Sequence, residues 1–107
     1  NSNENYRKIA EITDEEGLTF AYKQKGGLHQ HYNKLFIAGT KDFPQDHIDD
    51  LKLPFDDTLK KTKRGRDAES YYLSHHEIDT VIGHSLGGAV ALSLEKQYNK
   101  QVIILMV

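Results

Sequence analysis

Apolar and polar positions alternate along this chain in short, distinct patterns. From residue 3 to residue 13, Tyr6, Ile9, Ala10 and Ile12 recur at helical spacing among polar neighbours. This predicts a short amphipathic helix, with Gly17, after the acidic Asp14-Glu15-Glu16, as its stop. Residues 18–23 alternate apolar with small or polar side chains and read as a strand, Gly26-Gly27 as a turn, and Leu28 to Ala38 as a second extended segment whose buried end is Leu35-Phe36-Ile37-Ala38. Residues 39–54 mix Gly, Pro and Asp with isolated Phe43, Ile48, Leu51 and Leu53, which predicts a long loop. Asp56 to His76 is expected to be mostly helical, with an interruption at Gly65.

The last third is more regular. Ile78 to Ile82 is a short apolar strand, Leu86 to Asn99 a helix, and Val102 to Val107 a strand apolar enough for burial on both faces. Within the helix, Leu86, Val90, Leu94 and Tyr98 form one stripe, and the small Gly87, Gly88 and Ala91 permit close approach to a sheet. Strand, tight turn, helix, strand is a βαβ unit, so the expected class is α/β with a mostly parallel sheet and flanking helices.

Composition narrows the functional classes. With 107 residues the chain fits one small domain spanning 1–107. The net charge of −2 gives no field for gathering nucleic acid or anionic lipid, and no apolar run is long enough to cross a bilayer. The absence of cysteine removes disulfides and thiolate chemistry. The chain begins without Met and stops inside its most hydrophobic stretch, which reads as the N-terminal portion of a longer domain, an incomplete sheet lacking its last strands.

The chemistry concentrates at Gly83-His84-Ser85-Leu86-Gly87, a GxSxG motif extended by Gly88. After an apolar strand and before a helix, this pattern forms a nucleophile elbow: a serine on a strained turn with its hydroxyl above the sheet. Glycine is required because the backbones before and after the serine pass too closely for a Cβ. The helix start sets unpaired donors beside Ser85, so the Leu86 N–H is a candidate oxyanion-hole donor. A second donor in such an architecture comes from a loop after an earlier strand, where Ala38-Gly39-Thr40 lies. A serine that merely caps the helix is the plainer alternative.

Three segments together, Leu35-Phe36-Ile37-Ala38-Gly39-Thr40, Ile48-Asp49-Asp50-Leu51 and Ile78 to Ala89 with its GHSLGGA, resemble the class 3 (fungal-type) lipase family of α/β-hydrolases. Ala38 stands where that family usually has Arg. The resemblance implies Ser85 as nucleophile, Thr40 and Leu86 as oxyanion-hole residues, and Asp50, or Asp49 in its place, as a carboxylate steadying the Thr40 loop. It also sets Phe43 to Ile48 where the family carries its lid. The implied activity is lipase-like hydrolysis of carboxylic esters, triacylglycerol or phospholipid among them, through an acyl-serine. No cofactor is implied. The implied partner is the ester substrate, with transient contact at a lipid surface.

What the triad still needs is a base and its carboxylate, which such hydrolases carry on loops after the elbow. After Ser85 the chain offers Glu95 and no histidine, so this chain alone is expected to be nearly inactive. The alternative is a non-catalytic binding or structural module that keeps the elbow as a relic. His84 is a poor substitute base, since its side chain should point away from the serine hydroxyl. The pairs His29/His31 and His75-His76 lack further ligands in a recognisable spacing, so no metal site is expected. The basic run Lys60 to Arg66 is flanked by Asp56, Asp57, Asp67 and Glu69 and reads as a solvated helix face rather than a nucleic-acid site.

Overall fold

The computed structural model describes residues 12–40 and 62–105. Their order is α1 (Asp14–Lys23), β1 (Leu28–His31), β2 (Lys34–Ile37), α2 (Lys63–Ser74), β3 (Thr80–His84), α3 (Leu86–Tyr98) and β4 (Gln101–Leu105). The four strands form one mixed sheet in the order β1-β2-β3-β4. β1 and β2 are antiparallel, whereas β2, β3 and β4 run parallel, with Ile37 opposite Gly83 and Gly83 opposite Ile104. The class is α/β.

Side chains alternate across the sheet and create two cores. Leu35, Ile37 and Val81 meet Ala68 and Tyr72 of α2 and Leu86, Val90 and Leu94 of α3 on one face. Phe36, Ala38 and Ile82 meet Leu18 and Ala21 of α1 on the other. The molecule is therefore three-layered, with the central strands β2 and β3 covered on both sides.

The early part departs from the pattern-based reading. Residues 18–23 are helical, and Gly17 lies inside α1 rather than at a helix end. The overlooked signal is a capping box: Thr13 Oγ1 accepts from Glu16 N at 3.1 Å while Glu16 Oε1 accepts from Thr13 N at 3.3 Å. Asp14, Glu15 and Glu16 then favour the positive end of the helix. Gly17 serves packing, because a Cβ there would collide with the buried Phe36 ring. The helix expected over residues 3–13 lies almost wholly outside the described residues.

Leu28 to Ala38 is not one extended segment but a hairpin, reversed at Tyr32-Asn33, where Tyr32 adopts φ 54°. The Gly26-Gly27 turn is present, with Gly27 at φ 71°. Gly65 does not interrupt α2. It sits in the first turn, its N–H bonded to Thr62 Oγ1 at 3.0 Å. β3 runs two residues further than expected, so Gly83 and His84 are strand residues. The βαβ unit and the α3 stripe are as expected, although β4 is half-buried rather than enclosed, since it lies at the edge of the described sheet.

Candidate active site

β3 ends at His84 and α3 begins at Leu86, leaving Ser85 alone to make the turn. It does so at φ 57°, ψ −122°, a conformation that costs a non-glycine residue about 1–3 kcal/mol. Its neighbours make that turn possible. A Cβ on Gly83 would run into the Gly87 carbonyl, and one on Gly87 into the carbonyl of Ile37 at the end of β2. The α3 N-terminus thus rests directly on the sheet. Ser85 occupies the N-cap position, yet its side chain makes no capping hydrogen bond, which disfavours the plain helix-cap reading.

The helix itself begins tightly. Gly88 N and Ala89 N donate to Ser85 O at 2.9 and 3.3 Å. The amides of Leu86 and Gly87 precede the first intrahelical bonds, as in any α-helix. They lie at the positive end of the helix dipole, immediately after the serine. Leu86 directs its buried side chain into the core.

The wall facing Ser85 is the segment after β2. Gly39 lies so close that a Cβ on it would sit 3.0 Å from the Ser85 Cβ and 3.1 Å from His84 O. Three residues fix this segment through four hydrogen bonds. Gly39 N–H donates to the Tyr22 hydroxyl at 3.1 Å. The Arg64 guanidinium donates through Nη1 to Ala38 O and, at 3.3 Å, to Gly39 O. Ala38 N–H donates to Gly27 O at 2.8 Å. Burial pulls the Arg64 pKa below its ordinary value, opposed by Tyr22 and Asp67.

Tyr22 joins the two walls. Besides receiving the Gly39 N–H, its hydroxyl hydrogen-bonds His84 Nδ1, and the two rings meet edge to face at 5.6 Å. An open groove of about 460 Å³ lies over the serine, bounded by Tyr22, Gln24, Lys25, Gly39, Thr40, Arg64, His84 and Ser85. A second groove of about 760 Å³, lined by Leu18, Ile104 and Leu105 together with Glu15 and Thr19, shares Tyr22 and His84 with the first. One side of the Tyr22–His84 pair therefore carries the cations Lys25 and Arg64, and the other sets Leu18, Ile104 and Leu105 beside Glu15 and Thr19.

Of the residues singled out in the sequence, Gly83, His84, Ser85, Leu86, Gly87 and Gly88 form the elbow, and half-buried Thr40 lines the same groove as Ser85. Asp49, Asp50 and the segment Phe43 to Ile48 lie outside the described residues. For two groove residues, Tyr22 and Arg64, the sequence pattern predicts other settings, a strand and a solvated basic face. No local motif marks either one; both are recruited by tertiary packing. Only part of the Lys60–Arg66 run is described. In it Lys63 pairs with Asp67 at 2.6 Å, while Arg64 turns inward.

The other histidines stand apart. His29 stacks among Phe20, His31 and Phe36, and burial, then the neighbouring His31, lowers its pKa. His75 stacks on Tyr71 at 3.9 Å. Among the described residues no three His, Asp or Glu side chains converge as metal ligands, and no helix is long and apolar enough to cross a membrane. Comparison with protein families, curated proteins and solved structures gave no match to this chain.

Proposed function

We propose that this chain carries the nucleophile and oxyanion side of a lipase-like serine ester hydrolase with an α/β-hydrolase-type sheet. The observation that carries the reading is the backbone of Ser85, held at φ 57°, ψ −122° between β3 and α3. A helix cap does not require such strain, whereas a nucleophile that must stand clear of the sheet does.

In the reaction, Ser85 Oγ bonds to the ester carbonyl carbon as its proton passes to the general base. The carbonyl π pair moves onto oxygen, where the amides of Leu86 and Thr40 receive the charge. Each such donor contributes about 3 kcal/mol to the transition state. The pair then returns, the alcohol departs with the proton, and water repeats the sequence to release the acid. In the groove beside Tyr22 and His84, the apolar side chains of Leu18, Ile104 and Leu105 suit an acyl chain. The base and its carboxylate belong to loops beyond the elbow in this reading, and Asp50 to the support of the Thr40 loop.

The test uses the natural full-length protein and a fluorophosphonate, which captures an activated serine covalently. Labelling of the native protein that is lost in Ser85→Ala is the expected result. Equal labelling of both forms, or none of the native protein, would favour the non-catalytic binding module instead.

A further inference from the structure

Arg64 arrives at the site from a different layer of the fold. It is the second residue of α2, it is half-buried, and its guanidinium spends two hydrogen bonds on main-chain carbonyls rather than on an acid. Room for it is made by Gly27, where a Cβ would collide with the guanidinium and whose φ of 71° favours glycine. Burying part of a cationic side chain is costly, and two carbonyl dipoles offset that cost only if they stay in place.

Those two carbonyls belong to the segment that faces Ser85. The Gly39 carbonyl and the Thr40 N–H are the two ends of one planar peptide and point in opposite directions. Whatever holds the Gly39 oxygen therefore aims the Thr40 hydrogen. The preceding peptide is held at both ends as well, its carbonyl, Ala38 O, by Arg64 and its N–H, of Gly39, by the Tyr22 hydroxyl at 3.1 Å. Both bonds leave from Nη1, and one nitrogen tied to two successive carbonyls leaves the segment little rotational freedom.

We propose that Arg64 is a positioning residue for acyl transfer at Ser85, fixing the Ala38-Gly39-Thr40 segment so that the Thr40 N–H is already aimed when the oxyanion forms. The inference rests on the hydrolase reading and adds to it a residue that acts through the Ala38-Gly39-Thr40 segment rather than on the reacting atoms. Its physical content is preorganisation: a donor that must first rotate into place loses much of its value in the transition state.

The experiment compares the natural full-length protein with Arg64→Ala and Arg64→Lys, using fluorophosphonate labelling and hydrolysis of a soluble p-nitrophenyl ester. For Arg64→Ala, labelling rate and kcat are expected to fall about 10- to 100-fold, less than or equal to the loss of a direct donor, with KM nearly unchanged. Added guanidinium ion, at concentrations far below those that unfold proteins, should restore part of the rate. Arg64→Lys should remain slower than native because its side chain is one bond shorter and its nitrogen stops short of the Nη1 position between the two carbonyls. If Arg64→Ala does not fold, Arg64→Lys carries the comparison. Native rates in whichever variant folds, or a loss confined to KM, would overturn the proposal while leaving the hydrolase reading intact. A native protein that is itself unlabelled would remove both.

Discussion

Gly39 and Ser85 touch across the end of the sheet, so closely that a Cβ on Gly39 would stand 3.0 Å from that of Ser85. The contact follows from sheet register. Ile37 is the parallel partner of Gly83, so the two chains leave the sheet side by side and continue to Gly39 and Ser85. The same register seats Gly87 against the Ile37 carbonyl, and the α3 N-terminus is thereby locked to the end of β2. The serine, the first amides of α3 and the Gly39-Thr40 peptide are consequently parts of one rigid corner. Such a corner offers donors that need not reorganise when charge develops.

The three elbow glycines should not respond alike to alanine. At Gly83 and Gly87 the new methyl would meet backbone of Gly87 and Ile37, which cannot yield without moving the helix or the strand. Each substitution is expected to cost about 3 kcal/mol in denaturant unfolding. At Gly88 the nearest atom is the Cγ2 branch methyl of Ile104, at 2.8 Å, a side-chain rather than backbone contact on a half-buried strand. There the gain from replacing a helical glycine, about 0.5–1 kcal/mol, offsets the contact, and Gly88→Ala should unfold within about 1 kcal/mol of the native protein.

These glycines also show what the sequence made legible. Strand-elbow-helix-strand is specified by residues adjacent in the chain, and its geometry is local, so Ser85, Leu86 and the α3 stripe can be read directly. Residues 18–23 imitate a strand because Leu18, Phe20 and Tyr22 mimic a period of two. In the fold Leu18 and Ala21 are buried, while Phe20 and Tyr22 stay exposed. Arg64 was illegible for a different reason. In a run of bases next to acids nothing marks the one that turns inward, since its partners, the carbonyls of Ala38 and Gly39, belong to distant backbone.

The capping box that starts α1 can be weighed directly. Thr13→Ala removes the oxygen that accepts the Glu16 N–H and leaves the Glu16 carboxylate without its Thr13 hydroxyl partner. The expected loss is about 1 kcal/mol, read as a lower denaturant midpoint with unchanged slope. Because α1 covers Phe36 and Ile82, amide exchange should speed up first along Asp14–Lys23.

A pH dependence is expected where the hairpin docks on β3. Asn33 Nδ2 donates to Asp79 Oδ1 at 2.7 Å and Thr80 Oγ1 donates to the same oxygen at 2.9 Å. These two bonds, the Asn33 one foremost, hold the Asp79 pKa below its ordinary value. A carboxylate with a depressed folded pKa adds stability that is fully present above its unfolded value, near about 3.9, and is lost as pH falls through the folded one. Asn33→Ala should therefore be less stable than native at neutral pH and converge with it in strong acid, while its Asp79 carboxyl titrates at higher pH by NMR. A difference that persists below both titrations would assign the effect to the turn instead. The backbone bonds from Asp79 N and Thr80 N to Asn33 O, at 2.9 and 3.2 Å, remain in the variant and keep the hairpin attached.

Tyr22→Phe isolates one hydroxyl. The ring is half exposed, so its apolar contacts with α1 and His84 survive in the variant, and global stability should change by no more than about 1 kcal/mol because water can replace an exposed partner. The Gly39 N–H, however, loses the oxygen that receives it at 3.1 Å, while Arg64 keeps its hold on the carbonyls of Ala38 and Gly39. Hydrogen exchange at Gly39 should accelerate markedly, with the Ala38 amide, bonded to Gly27 O, little affected. That contrast separates a local release of one peptide from a general loosening of the end of β2, in which both amides would exchange faster together. Equal protection of Gly39 in native and variant proteins would show that the Tyr22 oxygen is not its acceptor in solution. The corner facing Ser85 would then be held by Arg64 and Gly27 alone.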